Sequence, residues 1–341
     1  MKFVKFVVKK YLRNLNLIII TTMKKQETTA GLISAIFLLL ALVPSAVQAK
    51  GKVKARAKHV IMIGIDGWAS KSIAQADMPT VKDFLMKNGS WTLKKRSVLP
   101  SASAINWASN LMGAGTESHG YTKWNSQRPE IPSSAINSHG IFPTIFSVLK
   151  EQRPTAKTAA QFDWDGIRYV LDTLAVDDIM YTYHGGYGVD SCKNCGDTYE
   201  YTQRAVDYIK AEKPTLFFLY FGGLDEQGHD KGWYTPDYYA FESVLDECIA
   251  RVIQAVNDAG MMDDTVIVLT ADHGGTGKGH GGSTLDEMLS PFVVYGKGIR
   301  RGFEITDAMM QYDVAATVAY ILGLTPPQAW VGRPMTQIFS R

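Results

Sequence analysis

Beyond residue 50 the hydrophobic positions fall into two kinds of run. Short, nearly unbroken apolar stretches at 59–65, 215–221, 265–270 and 291–295 predict strands buried on both faces. Between them, helical spacing of apolar residues predicts helices over 78–87, 104–112, 143–151, 199–211, 238–258 and 314–322. Asp313 stands where an N-cap is expected for the last helix, and Gly323 where that helix should stop. Strands alternating with helices predict an α/β layer fold with a largely parallel sheet. Stretches 121–140 and 181–197 lack either period and are rich in turn-forming residues, so they read as loops able to contact a substrate.

The first fifty residues have a different character. Lys24 and Lys25 precede an apolar run at 31–43 and a small-residue stretch at 45–49, the layout of a signal peptide cleaved after Ala49. The run is shorter than the roughly 18 to 20 residues a spanning helix needs. The expectation is a leader over 1–49, with Met23 an alternative start, and a single catalytic domain over 50–341. The product is expected to be exported, periplasmic or secreted, with no membrane span after leader cleavage. Of 341 residues 46% are hydrophobic, enough for a large core. The leader carries seven basic side chains and one acidic, so its loss turns the net charge from +3 to −3. No Lys/Arg block remains as a nucleic-acid footprint, and no stable nucleic-acid partner is expected.

Export permits a disulfide between Cys192 and Cys195, read here as a local loop staple; a redox site or half of a zinc knuckle are the alternatives. Cys248 stands alone in a helical stretch, and nothing in the pattern speaks to oligomeric state.

The candidate chemistry gathers at strand ends. Asp66-Gly67 follows the first strand, Asp225 and His229 follow the second at a spacing that converges on one helical turn, and Asp272-His273-Gly274 follows the third. His280 lies in a glycine-rich loop just beyond. Each group alone is an ordinary turn, surface or core feature. Jointly, three strand ends and one loop offer six oxygen and nitrogen ligands, enough for two Zn2+ ions with open positions; Mn2+ or Fe suits the same donors. Ser103 opens the helix at 104–112, where an anionic oxygen is favoured, although most serines at helix starts are simple caps.

These residues resemble the alkaline phosphatase superfamily, in its type I phosphodiesterase and nucleotide pyrophosphatase branch. The carriers are Asp66-Gly67, the Ser103 segment running into Gly113 and 117–120, Asp225 with Gly228-His229, Asp272-His273-Gly274 and His280-Gly281. The resemblance implies a mixed, mostly parallel sheet sandwiched between helices, alkaline phosphatase-like. It implies one zinc on Asp66, Asp272, His273 and the Ser103 oxygen, and a second on Asp225, His229 and His280, with a phosphoserine intermediate at Ser103.

Relatives hold a phosphoryl oxygen with an asparagine; Asn125 is the candidate, one residue beyond the aligned position, and Asn106, one turn from Ser103, is the alternative. Many nucleotide pyrophosphatases carry threonine in place of Ser103, so the nucleophile does not choose between diesters and monoesters. A sulfatase is disfavoured because Ser103-Ala-Ile-Asn-Trp107 lacks the expected Cys/Ser-x-Pro-x-Arg pattern. The expectation is an exported, metal-dependent hydrolase of small phosphate esters, phosphodiesterase or nucleotide pyrophosphatase in type. A phosphomonoesterase and a non-catalytic module binding glycan or lipid are the alternatives. Trp68, Trp124, Trp164 and Tyr187 are candidates to stack on a substrate, or to pack.

Overall fold

β1 (His59–Ile65) is buried on both faces because five β-branched or long apolar side chains alternate across it with almost no interruption. The computed structural model describes residues 54–182 and 193–340, without the side chains of 193–197. The leader, the Cys192–Cys195 pairing and Tyr187 lie outside the described residues. Residues Lys52–Arg341 form one compact unit.

After β1 come β2 (Ser90–Arg96), α1 (Ser103–Met112), α2 (Ile145–Gln152), β3 (Thr158–Phe162), β4 (Asp178–Tyr181), α3 (Lys193–Glu212), β5 (Leu216–Phe221) and α4 (Gly223–Lys231). α5 (Pro236–Asp258), β6 (Thr265–Ala271), β7 (Leu289–Gly296), β8 (Phe303–Glu304) and α6 (Asp313–Leu322) complete the fold. The sheet has eight strands in the order β4-β3-β5-β1-β6-β7-β2-β8. β4 through β6 are parallel, whereas β7 runs antiparallel to both neighbours, so the sheet is mixed and mostly parallel.

Each face buries its own core. Val60 and Met62 pack with α1, α2 and α6 on one side; Ile61, Ile63 and Ile65 pack with α5 on the other. Gly64 has to be glycine, since a Cβ there would lie 2.6 Å from the ring of Trp107.

Three local expectations are corrected. Over 78–87 the chain forms a π-helical segment (Thr80–Leu85) running into Met86–Asn88, started by Asp246, whose carboxylate accepts the Thr80 and Val81 amides at 2.8 Å each. Asp313 is the first residue of α6, not its cap; its carboxylate is taken by the Met310 and Arg333 amides at 2.7 and 2.8 Å. The loop expected over 181–197 is shorter, because α3 already begins at Lys193.

Candidate active site and metal centre

Strand register levels the site. Ile65 pairs with Phe221 on one side and Ala271 on the other, so Asp66, Gly222 and Asp272 leave the sheet side by side at its carboxyl edge. Gly222-Gly223 leads straight into α4, whose first turns carry Asp225 and His229. Gly67 (φ 65°) permits the close approach of these segments: a Cβ there would lie 2.7 Å from Asp225 Oδ1.

Each carboxylate is held by one oxygen and presents the other. Asp66 Oδ2 accepts hydrogen bonds from Tyr220 Oη at 2.5 Å and Trp107 Nε1 at 2.8 Å, leaving Oδ1 facing Ser103 Oγ at 3.3 Å and His273 Nε2 at 3.4 Å. Asp272 Oδ1 accepts the Gly67 amide at 3.0 Å, while Oδ2, buried and without a hydrogen-bond partner, lies 3.1 Å from His273 Nε2. Asp225 Oδ1 is likewise buried without a partner, 3.7 Å from His280 Nε2; Oδ2 is 3.3 Å from His229 Nε2. Ser103, the first residue of α1, lies 3.2 Å from His273 Nε2.

The histidines are oriented in the same manner. Nδ1 of His273, His280 and His229 faces the carbonyl of Gly274, Ser101 and Lys278 at 2.8, 2.9 and 3.0 Å. A carbonyl only accepts, so Nδ1 carries the proton and Nε2 offers a lone pair. The His280 and His229 Nε2 atoms face one another at 3.1 Å, and the His273 and His280 rings stack 3.8 Å apart. Lone pairs aimed at one another in a buried site need positive charge between them.

Among the described residues two groups bring one donor atom from each member within 4.8 Å of the others: Asp66, Asp272 and His273; and Asp225, His273 and His280. By distance His273 belongs to both, and His229 completes the second through its contacts with Asp225 and His280.

Electrostatics makes the same demand. Burial, then the Asp225 charge, pushes the Asp66 carboxyl up to about 6 despite the hydrogen bonds from Tyr220 and Trp107. Burial, then the Asp66 and Asp225 charges, holds Asp272 well above the usual carboxylate range. Burial also raises Asp225, but the His229 hydrogen bond and the neighbouring imidazoles outweigh it and lower that group. The hydrogen bond with Asp225 lifts His229 to about 9, so in a metal-free protein His229 takes a proton as the substitute cation. Burial, then His273, pushes His280 down to about 4. The oxygen and imidazole donors, the two orphaned carboxylate oxygens and the converging lone pairs fit first-row divalent ions.

A cleft of about 610 Å³ opens over this centre, lined by Ser103, Asp66, Asp225, His229 and His280 and walled by Trp124, Trp164, Tyr220 and Glu226. One expected substrate contact is corrected, and one open choice is decided. Asn106 is buried, and its amide clamps the loop before Ser103: Oδ1 accepts the Val98 amide at 2.8 Å, and Nδ2 donates to the carbonyls of Val98, Pro100 and Ala102 at 3.1 to 3.2 Å. Trp68 is fully buried and donates to Glu242 at 2.9 Å, so it packs rather than stacks on a ligand. Asn125 is exposed on the loop beside the cleft and is not among its lining residues. His119, in the stretch 117–120, is also structural: its ring accepts the Tyr121 amide at 3.1 Å and meets Ser109 Oγ at 3.0 Å.

Sequence reasoning missed the residues behind the ligands. Trp107, one turn from Ser103 on the same helix face, was within reach of spacing. Tyr220, Ser101 and Lys95 were not. Ser101 holds the His280 loop at three consecutive residues, through its carbonyl to His280 and through contacts of its hydroxyl with Gly281 and Gly282. Lys95 Nζ, wholly buried, donates to the Ala271 carbonyl at 2.5 Å and to Gln311 Oε1, fixing the peptide just before Asp272. Burial lowers that ammonium to about 7 against the pull of Asp272 and Asp313.

The family model of type I phosphodiesterase / nucleotide pyrophosphatase matches residues 60–290, which contain every one of these ligands. The chain belongs to that family. Among curated proteins, GPI ethanolamine phosphate transferase 1 of Yarrowia lipolytica is 30% identical over 147 residues, 37% of this chain. The match spans only 16% of that relative's length. In three dimensions the phosphodiesterase fold matches murine ectonucleotide pyrophosphatase / phosphodiesterase 5, solved as an inactive variant with AMP, at a TM-score of 0.65 and 15% identity. That match covers 83% of this chain and all of the other. Phosphonate monoester hydrolase from Silicibacter pomeroyi matches at 0.63 with 14% identity, over 83% of this chain and 76% of its own. At such identities the likeness is one of fold: an alkaline phosphatase-like α/β sandwich.

Proposed function

We propose that this protein hydrolyses phosphodiesters through Ser103 at a centre holding two divalent ions, zinc in the first instance. One observation carries the reading: Ser103 Oγ stands at the head of α1, 3.2 Å from His273 Nε2 and 3.3 Å from Asp66 Oδ1, inside a cluster of donors that is unsatisfied without cations. Asp66, Asp272, His273 and Ser103 would hold one ion, and Asp225, His229 and His280 the other. When bound, such ions supply Lewis-acid stabilisation of the serine alkoxide and of the phosphoryl and leaving oxygens.

The chain's own residues do the rest. Tyr220 and Trp107 keep Asp66 Oδ1 turned to the serine, and the N-terminus of α1 favours the anionic form of Ser103 Oγ. Ser103 Oγ attacks phosphorus, and the bond to the leaving alcohol breaks as the Ser103 phosphoester forms. Water then enters from the vacated side, cleaves that ester and restores the serine.

The test is the initial rate of zinc-loaded protein on bis-p-nitrophenyl phosphate and p-nitrophenyl phosphate, with and without chelator, beside Ser103→Ala. The expected result is chelator-sensitive turnover that favours the diester and falls at least about a thousandfold in Ser103→Ala while metal binding persists. Unchanged turnover in that variant refutes the nucleophile, and a monoester preference moves the protein to the phosphatase reading. The named Yarrowia lipolytica relative supports a second reading, in which the same Ser103 ester is passed to an alcohol; product analysis with added alcohol separates transfer from hydrolysis. The signal-peptide layout of residues 1–49 supports the reading that the protein is exported. Mature protein that begins at Lys50 in periplasmic or medium fractions supports export, and intact cytosolic protein refutes it. Among the described residues no helix is long and apolar enough to cross a membrane.

A further inference from the structure

The loop over 121–140, expected from its composition to contact a substrate, gives the cleft above the metal centre only Trp124. Farther along, the same loop meets the segment 168–174 and closes a second cavity of about 300 Å³, which shares no lining residue with the first. That volume is at the lower end of the range for ligand pockets. Its walls carry two guanidinium groups, Arg128 and Arg168, and one imidazole, His139. Among the described residues Asp172 is the single acidic side chain that lines it.

Asp172 is already engaged within the wall. It is 2% exposed; its Oδ2 accepts from Asn137 Nδ2 at 2.6 Å, and its two oxygens lie 2.9 and 3.0 Å from His139 Nδ1. A carboxylate accepts, so Nδ1 carries the proton and Nε2 is left as an acceptor, with no hydrogen bond to a described residue. Asn137 Oδ1 accepts the His139 and Ile141 amides at 2.9 and 3.3 Å, which fixes the turn that carries the ring. The cations are less engaged. Arg128 is exposed and has no hydrogen bond or ion pair with a described residue. Arg168 gives Nε to Asp165 at 2.9 Å and lies 5.8 and 5.6 Å from the ring centres of Phe162 and Tyr181, so its outer N–H groups are open to a ligand.

A ligand complementary to these walls offers acceptor oxygens to the guanidiniums and a proton to His139 Nε2. Ammonium groups are repelled by the arginines. Acetate and sulfate at neutral pH only accept, whereas hydrogen phosphate accepts through several oxygens and keeps at least one P–OH to donate. We propose that this cavity is a second, metal-independent binding site that takes inorganic phosphate, with Arg128 and Arg168 on its charged oxygens and His139 on its P–OH. The site goes beyond the hydrolase reading and stands on different residues.

The experiment is calorimetric titration of the zinc-loaded protein with inorganic phosphate, sulfate and acetate, repeated after a chelator has stripped the metal centre. One phosphate should bind with a Kd of about 1 mM or tighter whether or not zinc is present, and sulfate and acetate at least about tenfold more weakly. Arg128→Ala should weaken phosphate at least about fivefold while turnover of bis-p-nitrophenyl phosphate stays within about twofold of wild type. His139→Ala should bring phosphate down to the affinity of sulfate, and Arg301→Ala, at an exposed arginine outside the cavity, should leave binding unchanged. No saturable phosphate binding in chelator, sulfate bound as tightly as phosphate, or equal losses in Arg301→Ala and Arg128→Ala each overturn the proposal. A protein that turns over no phosphodiester but still binds phosphate in chelator, sensitive to Arg128→Ala, loses the hydrolase reading and keeps this site.

Discussion

Replacing Asp66 by asparagine should make the metal-free protein more stable, although it removes a metal ligand. Asp66 is 2% exposed, and its carboxyl rises on folding from an ordinary 3.8 to about 6. Each pKa unit is worth about 1.4 kcal/mol, so ionised Asp66 costs the folded state about 3 kcal/mol. Because the folded value is the higher one, stability is held below pH 3.8 and lost as the pH rises through about 6.

Asparagine fits the site: its carbonyl oxygen can accept from Tyr220 and Trp107, and its amide meets Ser103 Oγ and His273 Nε2. In chelator, urea unfolding should show Asp66→Asn more stable by about 3 kcal/mol at pH 7.5 and by only about 1 kcal/mol at pH 4.5. In excess zinc the order should reverse, since only wild type gains the full binding energy. A metal-free variant no more stable than wild type at pH 7.5, or a gain that does not shrink on acidification, would refute the reasoning that charge repulsion in this cluster awaits a cation.

Two further substitutions test the supporting structure. Asn106→Ala removes the clamp on the Val98, Pro100 and Ala102 backbone and should lower unfolding stability by about 2 to 4 kcal/mol, along with turnover; unchanged stability in urea would return Asn106 to a substrate role. Gly67→Ala forces a Cβ to within 2.7 Å of Asp225 Oδ1 at a φ of 65°, so zinc affinity measured by competition with a chromogenic chelator should fall tenfold or more. Wild-type affinity in that variant would show that the turn relaxes without disturbing Asp225.

The parts of this protein that were legible in sequence are those governed by local pattern. β1, β5 and β6 are central and buried on both faces, so they appear as unbroken apolar runs, and a polar residue that ends such a run stands at the sheet edge whatever the rest of the chain does. Asp66 and Asp272 were therefore readable together, and Asp225, in the first turn of the helix that follows β5, could be placed beside them, before any distance was known. Asn106 was misread because spacing from Ser103 reports a shared helix face and not the target of the side chain, which is the preceding loop. Trp68 stayed open between stacking and packing because it follows the Asp-Gly pair at the strand end, while its partner Glu242 lies 174 residues away.

The same separation hides the second layer. Tyr220 is 154 residues from Asp66, and the Ser101 carbonyl is 179 from His280. Ligand types can be inferred from short patterns because metal chemistry restricts them to few residues. The groups that choose which oxygen or nitrogen each ligand presents have no such restriction: a tyrosine, a tryptophan, a glycine amide and three backbone carbonyls perform the same task here. Their identities follow from packing alone, and packing brings them together only when the sheet is assembled.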